Sequence, residues 1–416
     1  MTARPPSPRE IVADLVDRVL DVPGSRAAPT AVAWLRTVLD ADRVEVHLLD
    51  RRRERLHLAA AATRDPASRA VEHHLDVREN PVAQALRAEV VLTYRVGDEE
   101  VRHIPLEAHG HTHGVLTVAG PVGHGADDVT TVSFAPSDWR RLGRTLALLL
   151  RQAATTTDEL ELARRTYDYS IAAELQWDLL PPADVATDRI ALRALVEPAP
   201  RVTSDLFDWS LNGDRLTVAL LDAAGRGLVA TQVGDLALAA LRNARRSGLA
   251  IAEQAALADQ ALWDRHHGHA AVDALLLEID LTGGTARAVH AGSPVVLRRR
   301  DHEVELLDLG AVHEPLGLLD RTRYDAGVVD LRPGDVMMLL SDGVAAARDP
   351  DGRVFGVDAL AHRLAHTSVP RDLPSWLVGE LRARAGGDLE DDATALVLEW
   401  HGQASRPEGS GRRDGV

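Results

Sequence analysis

Residues 216–232 read LTVALLDAAGRGLVATQ. The apolar run Leu216–Leu221 has the length of a buried strand and ends on Asp222. Two glycines, Gly225 and Gly227, bracket Arg226, and helical spacing then holds from Leu228 to Arg246. A strand that yields to a helix across a short loop presents its last side chain on a rigid frame, where functional groups tend to sit. The loop is not a nucleotide cradle, because it lacks the third Gly of a dinucleotide fingerprint and the Lys of a P-loop.

The same arrangement recurs along the C-terminal half. Val336–Leu340 runs into Ser341-Asp342-Gly343, Asp205 and Asp208 sit in TSDLFDW (203–209), and Asp391-Asp392 open the strand ATALVLEW (393–400). Further strands are expected at Ala274–Ile279, Ala286–His290 and Val295–Arg298, and a second helix at Ile251–His266. Carboxylates that converge without a cation repel one another and raise each other's proton affinity. A hard divalent ion with oxygen ligands, Mg²⁺ or Mn²⁺, resolves that repulsion. Two such ions about 3.5–4 Å apart can share a water, lower its pKa and direct it at phosphorus. Each signal alone is weak, since Asp-Gly after an apolar run is usually a turn; the weight lies in the ordered set.

Composition narrows the chemistry. At ~150 residues per domain, 416 residues predict two to three domains. Hydrophobic residues at 45% and charged residues at 26% exclude a disordered chain, while 3% aromatics leave Ala, Leu and Val to build the cores. The net charge of −16 argues against nucleic acid or an anionic membrane as partner. With no Cys, disulfides, Cys-ligated metals and thiol nucleophiles are excluded. The cations are all Arg, which excludes Schiff-base chemistry and a catalytic lysine. No apolar run approaches the ~18 residues of a membrane span, and Asp14 and Asp17 interrupt what would be the apolar part of a signal peptide. A cytoplasmic location is the expectation.

The N-terminal part reads as a short amphipathic helix (Ile11, Leu15, Val19, Leu20), a helical stretch Ala31–Leu39, and strands Arg43–Leu49 and Leu56–Ala61 about the charged turn Asp50–Arg55. A helix at Pro81–Arg87 and strands Val101–Pro105 and Gly114–Val118 follow. His109, His111 and His113 alternate as three imidazoles on one strand face would, so a metal or haem site is one reading and a hairpin with exposed histidines the plainer one. His266, His267 and His269 are read as a polar helix C-terminus rather than a metal site. From Ser137 to Leu180 the pattern is helical, with rows Leu142, Leu149, Thr156, Ala163 and Leu146, Ala153, Leu160, Tyr167 seven residues apart. That seam predicts a long linker helix, packed on its own domain or paired with a second copy over 139–175 as a homodimer. Residues 402–416 read as a disordered tail.

Segments VHLLDRRRERLHL (46–58) and HIPLEAHGHTHGVLTVAGP (103–121) resemble a GAF domain, a sensor or dimerisation module. The C-terminal set resembles the metal-dependent serine/threonine phosphatases of the SpoIIE/RsbU type, with the protein phosphatase 2C-like fold. AAELQWDLLPP (172–182) looks like the family's leading helix "A..iQ..llP". VEPAPRVTSDLFDW (196–209) looks like "..PA..vGGDfyDw", and LTVALLDAAGRGLVATQ like "l.l.igDv.GhG..Aa". AVHAGSPVVLRR (288–299), EPLGLL (314–319), LRPGDVMMLLSDGVAAARD (331–349), FGVDAL (355–360) and DDATALVLEW (391–400) continue the series in order.

The resemblance implies an α+β chain. A GAF-like antiparallel sheet with helices would occupy 1–135, a helical linker 136–182, and a β-sandwich flanked by helices 183–401, with the tail at 402–416. It also implies that Asp205, Asp222, Asp342 and Asp391, with the carbonyl of Ala223, hold two Mn²⁺ or Mg²⁺ ions around a water. Asp392 could exchange roles with Asp391, Asp208 would be structural, and Gly343 and Thr394 would shape loops. The implied substrate is a phosphorylated STAS-type anti-anti-sigma protein, under control of the GAF-like sensor. The departures are Thr203-Ser204 for Gly-Gly, Arg226 for His, Asp273 for Thr and Ala346 for Glu. They favour the alternative of a catalytically weakened binding or scaffold protein in the same circuit. A nucleotidyl cyclase also uses paired acids and metal, but the Lys expected for purine recognition is missing and the segment order differs.

Overall fold

A computed structural model of the chain describes residues 6–65, 74–77, 81–88, 90–121, 134–165, 170–199, 204–348, 351–352, 354–386 and 389–402. The chain forms two compact units, Met1–Asp168 and Tyr169–Val416.

In the first unit, α1 (Pro8–Leu20) and α2 (Ala27–Val38) precede β1 (Arg43–Leu49), β2 (Arg55–Thr63) and β3 (His74–Asp76). Then come α3 (Pro81–Ala88), β4 (Leu92–Val96), β5 (Glu99–Ala108), β6 (His111–Pro121), α4 (Pro136–Ala153) and α5 (Glu159–Arg164). The sheet is antiparallel in the order β3-β2-β1-β6-β5-β4. This is the antiparallel sheet with helices that the GAF-like reading calls for. Ser7 starts α1 through a capping box with Glu10. Ile11, Leu15, Ala31, Leu35, Leu142 and Leu146 of α1, α2 and α4 share one core with Val44, Val46 and Leu116 of the sheet.

That core corrects the linker reading. The heptad rows are not a seam for a second chain; Leu142, Leu146, Leu149, Ala153 and Leu160 are buried in their own unit. Gly143 lets α4 press onto β5, since a Cβ there would lie 2.5 Å from the Pro105 carbonyl oxygen. The long helix also breaks. The hydroxyls of Thr155 and Thr156 take the carbonyls of Gln152 and Ala153, ending α4, and α5 is a separate short helix. Tyr167 lies outside the described residues. The turn after β1 is the expected hairpin tip, with Arg51 paired to Glu161 of α5 at 3.1 Å. His109 and Gly110, both at positive φ, make the β5–β6 hairpin, and His109 is exposed as expected, but His111 is buried.

In the second unit, α6 (Ile171–Leu179) leads into β7 (Asp184–Ala186), β8 (Ile190–Glu197), β9 (Asp205–Asn212) and β10 (Arg215–Ala223). Next are α7 (Gly227–Arg246), α8 (Ile251–His266), β11 (Val272–Asp280), β12 (Thr285–Ala291), β13 (Val295–Arg300), β14 (Glu303–Leu306) and β15 (Val312–His313). The chain closes with β16 (Gly327–Asp330), β17 (Val336–Leu340), α9 (Asp342–Ala345), α10 (Val357–His366), α11 (Leu373–Ala385) and β18 (Ala393–Trp400). One sheet runs β15-β12-β11-β10-β9 with β16 beside β12, and the other runs β14-β13-β17-β18-β8-β7.

Alternation sorts the side chains into layers. Phe207, Leu216, Val218, Leu220, Leu275 and Leu277 of the first sheet meet Leu192, Ala194, Met337, Leu339, Leu396 and Leu398 of the second. On the outer face of the first sheet, Ala219 and Leu221 pack on Val233, Leu238, Leu241 and Leu262 of α7 and α8. On that of the second, Met338, Leu340 and Val397 pack on Leu360, Leu364 and Leu377 of α10 and α11. Helices, sheet, sheet and helices therefore stack as a sandwich. Each fully buried Leu contributes about 1.5–3 kcal/mol, so Leu and Val build this core with few aromatics.

Candidate functional site

The alternation that builds the sandwich also aims its acids. In β9, Phe207 points between the sheets, so Asp205 two residues earlier does too; in β10, Leu216, Val218 and Leu220 set the same direction for Asp222. Asp205 and Asp222 are directly opposed in the β9–β10 ladder, on one face. From the second sheet, Leu396 and Leu398 of β18 carry Thr394 inward, and Leu339 of β17 carries Ser341. The two sheets thus bring their polar strand ends together at one end of the core.

Hydrogen bonds tie these ends. The Thr394 hydroxyl donates to Asp205 Oδ2 at 2.6 Å, and the Thr394 N–H donates to Ser341 Oγ at 3.0 Å. The N–H of Asp392 donates to Asp391 Oδ1 at 2.9 Å. Gly343 is required by close approach: a Cβ there would sit 1.9 Å from the Asp392 carbonyl oxygen. Asp342 hydrogen-bonds Asp222, and its Oδ1 is buried with no hydrogen-bond partner.

The electrostatics follow from burial without a counter-charge. Burial raises the Asp205 carboxyl well above the usual range, with the charges of Asp222 and Asp392 adding to it. Asp222 is pushed up to about 8 by burial, then by Asp342 and Asp391. Asp391 is also raised, by burial and by Asp342 and Asp392, with Arg226 pulling the other way. Asp205 and Asp222 are therefore neighbours, and Asp222 is in turn a neighbour of Asp342 and Asp391.

Two of the expected residues take other parts. Asp392 is buried and saturated: Oδ2 accepts from the N–H groups of Ser204 and Asp205 and from Gln176 Nε2, and Oδ1 from the Ala199 N–H. It anchors the strand ends and has no room to exchange with Asp391. Asp273 stands opposite Asp222 across β10–β11, yet its carboxylate accepts the Ser293 N–H at 2.9 Å and fills the space beside Gly292. It pins that turn. Asp208, on the opposite face of β9 from Asp205, is structural as expected; Arg242 and Arg245 of α7 hold its two oxygens at 2.8 Å. Ala223 ends β10 beside Asp222, its N–H reaching the Ser204 carbonyl at 3.3 Å.

Sequence reasoning left Gln176, Ser204 and Ser341 without roles. Gln176 of α6 donates to both the Asp205 carbonyl, at 2.6 Å, and Asp392 Oδ2, at 3.0 Å. Ser204 is buried and its hydroxyl bonds Asp222. The signal for Gln176 was its fixed place in the leading helix motif. Thr203 lies outside the described residues. His267 caps α8 in the left-handed region, which fits the polar helix end.

Residues 212–401 match the sequence family described as Stage II sporulation protein E (SpoIIE). Within the C-terminal unit, this segment is similar to a SpoIIE-type domain. Asp205 and Gln176 lie ahead of the matched segment, so their part in the domain is read from the geometry alone. Among solved structures, the phosphatase domain with a regulatory fragment of Bacillus subtilis SpoIIE is 19% identical, over 52% of this chain and 64% of that one, at a TM-score of 0.46. The RsbU and RsbW domains of a Mycobacterium tuberculosis protein are 23% identical over 53% and 61%, at 0.45. The SiaA-PP2C domain of Pseudomonas aeruginosa is 23% identical over 50% and 85%, at 0.43. The chain thus spans less than two thirds of the first two. No curated protein matches.

The donor set at these strand ends suits a hard cation, because it is made of carboxylates with raised proton affinity and one buried orphan oxygen. Among the described residues, no group of three or more His, Cys, Asp or Glu side chains closes on one point to hold an ion as it stands, and this includes the histidines of the first unit. No helix of the described residues is long and apolar enough to cross a membrane.

Proposed function

We propose that this chain is a metal-dependent protein serine/threonine phosphatase. What supports the reading is that Asp205 and Asp222 oppose each other at the end of β9 and β10, with Asp342 and Asp391 acting on Asp222, and that residues 212–401 match the SpoIIE family. Asp205, Asp222, Asp342, Asp391 and the Ala223 carbonyl would hold two Mn²⁺ or Mg²⁺ ions. When bound, such a pair supplies an acidified water and offsets charge on the phosphoryl oxygens.

The chain's own residues prepare that site. Thr394 orients Asp205, the Asp392 N–H orients Asp391, and Ser204 orients Asp222, so the carboxylates are aimed before a cation arrives. Asp392 and Gln176 lock β9 to β18 and prevent the acids from moving apart. The net reaction joins a water oxygen to phosphorus and breaks the seryl or threonyl P–O bond, giving the free hydroxyl and inorganic phosphate. By resemblance, the substrate is a phosphorylated STAS-type anti-anti-sigma protein, and the first unit acts as a GAF-like sensor that sets activity.

The test is hydrolysis of a phosphoserine peptide by the purified full chain, with Mn²⁺ and with chelator. Metal-dependent release of phosphate is expected, falling about a hundredfold or more in Asp342→Asn, the scale found when a charge-stabilising group is removed. No metal-dependent release would refute the enzyme. A second reading, a phosphatase-like docking protein that has lost turnover, is favoured by the missing three-ligand cluster among the described residues. Calorimetry separates the two: Mn²⁺ binding supports the enzyme, and no binding supports the scaffold.

A further inference from the structure

Arg226 stands where the resemblance has a histidine, and at first sight this is damage. Its surroundings say otherwise. It lies in extended conformation (φ −147°) between Gly225 at φ +126° and Gly227 at φ +60°, directly ahead of the first turn of α7. Those glycine conformations turn the chain tightly on both sides, so Arg226 projects from a compact loop four residues beyond Asp222. Its side chain is exposed, and among the described residues no hydrogen bond or ion pair holds the guanidinium. Its charge nevertheless reaches Asp391, where, after the Asp392 N–H, it opposes the effect of Asp342 and Asp392.

A phosphoryl dianion entering a group of four acids meets repulsion unless cations receive it. An exposed guanidinium offers a planar fork of N–H donors that matches two phosphoryl oxygens, and it keeps its charge at every working pH. Building on the phosphatase reading above, we propose that Arg226 is a positioning residue that grips the phosphoryl group of the substrate and the inorganic phosphate product. The replacement of an ionisable imidazole by a permanent cation then has a consequence for pH: phosphate affinity at this position does not fall through neutrality.

The experiment compares the full-length protein with Arg226→Ala, Arg226→Lys and Arg226→His in Mn²⁺. For Arg226→Ala, KM for the phosphopeptide and the inhibition constant of inorganic phosphate should both rise about tenfold or more, by more than kcat falls, while Mn²⁺ affinity stays within about twofold. Arg226→Lys should recover part of the loss. Arg226→His should approach wild type only below about pH 6.5, where imidazole is charged. An unchanged phosphate inhibition constant would overturn the proposal, as would a change in Mn²⁺ affinity alone, which would make Arg226 a mere counter-charge to Asp391. Should the wild type prove inactive, the phosphatase reading fails by itself. Calorimetry of inorganic phosphate with the Mn²⁺-loaded protein then decides Arg226: binding lost in Arg226→Ala supports it, and no binding to wild type overturns it.

Discussion

The contact between Gly343 and Asp392 holds two loops of the site at a separation no side chain permits. With a Cβ placed 1.9 Å from a backbone oxygen, neither partner can swing aside as a flexible side chain would. Gly343→Ala is therefore expected to cost about 1–3 kcal/mol of stability, as overpacked sites do, and to weaken Mn²⁺ binding by parting Asp342 from Asp391. Urea unfolding and calorimetry check both; an unperturbed midpoint would mean the loops open freely. At this scale the sequence was informative. Asp205, Asp222, Asp342 and Asp391 announced themselves by ending or opening apolar strands. Asp392 did not separate from Asp391, because adjacent identical residues differ only in which partners surround them, and four donors claim Asp392.

Among the elements, α7 is fastened to β9 by charge as well as by packing. Asp208 is 3% exposed and engages Arg242 and Arg245, while Arg242 also reaches the Leu179 carbonyl at the end of α6. Removing one partner of a buried ionic group leaves the others uncompensated, so Asp208→Ala should cost about 3–5 kcal/mol, measured by denaturant unfolding. A loss under about 1 kcal/mol would show that the arginines simply turn to water. The elements themselves were legible where the period was clear, as in Leu228–Arg246 and Val336–Leu340. The stretch from 137 to 180 misled because a narrow apolar stripe looks the same whether a second helix or a sheet covers it. Over Pro136–Ala153, β5 and β6 cover it.

Across the whole second unit, the acids make metal-free stability depend on pH in a direction opposite to ordinary acid denaturation. Asp205, Asp222, Asp391 and Asp392 have raised affinities for protons in the fold, against about 3.9 for an unfolded Asp. A raised acid stabilises the fold while protonated, and that contribution is lost as pH rises from about 4 through the folded value, about 8 for Asp222. In chelator, the melting temperature should therefore fall between about pH 5 and pH 8.5. Mn²⁺ should raise it most at the alkaline end, where the carboxylates are ionised. A melting temperature that climbs over this range in chelator would contradict the cluster. Below about pH 4 another group acts in the usual sense: burial opposes ionisation of Asp335, but Arg300 and the Arg332 N–H hold it below the usual range, and that support disappears with acid.

The order of strands and helices in the second unit, its strand-end carboxylates and the exclusion of thiol and lysine chemistry were decided by the sequence, since period, length and composition are local properties of a chain. Tertiary structure alone decided which carboxylate is free and which is bound, what covers the helix at Pro136–Ala153, and that Gln176 reaches Asp205 and Asp392. Those outcomes depend on partners up to 216 residues away, and hydrogen-bond satisfaction is a property of the packed surroundings rather than of the residue that carries the group.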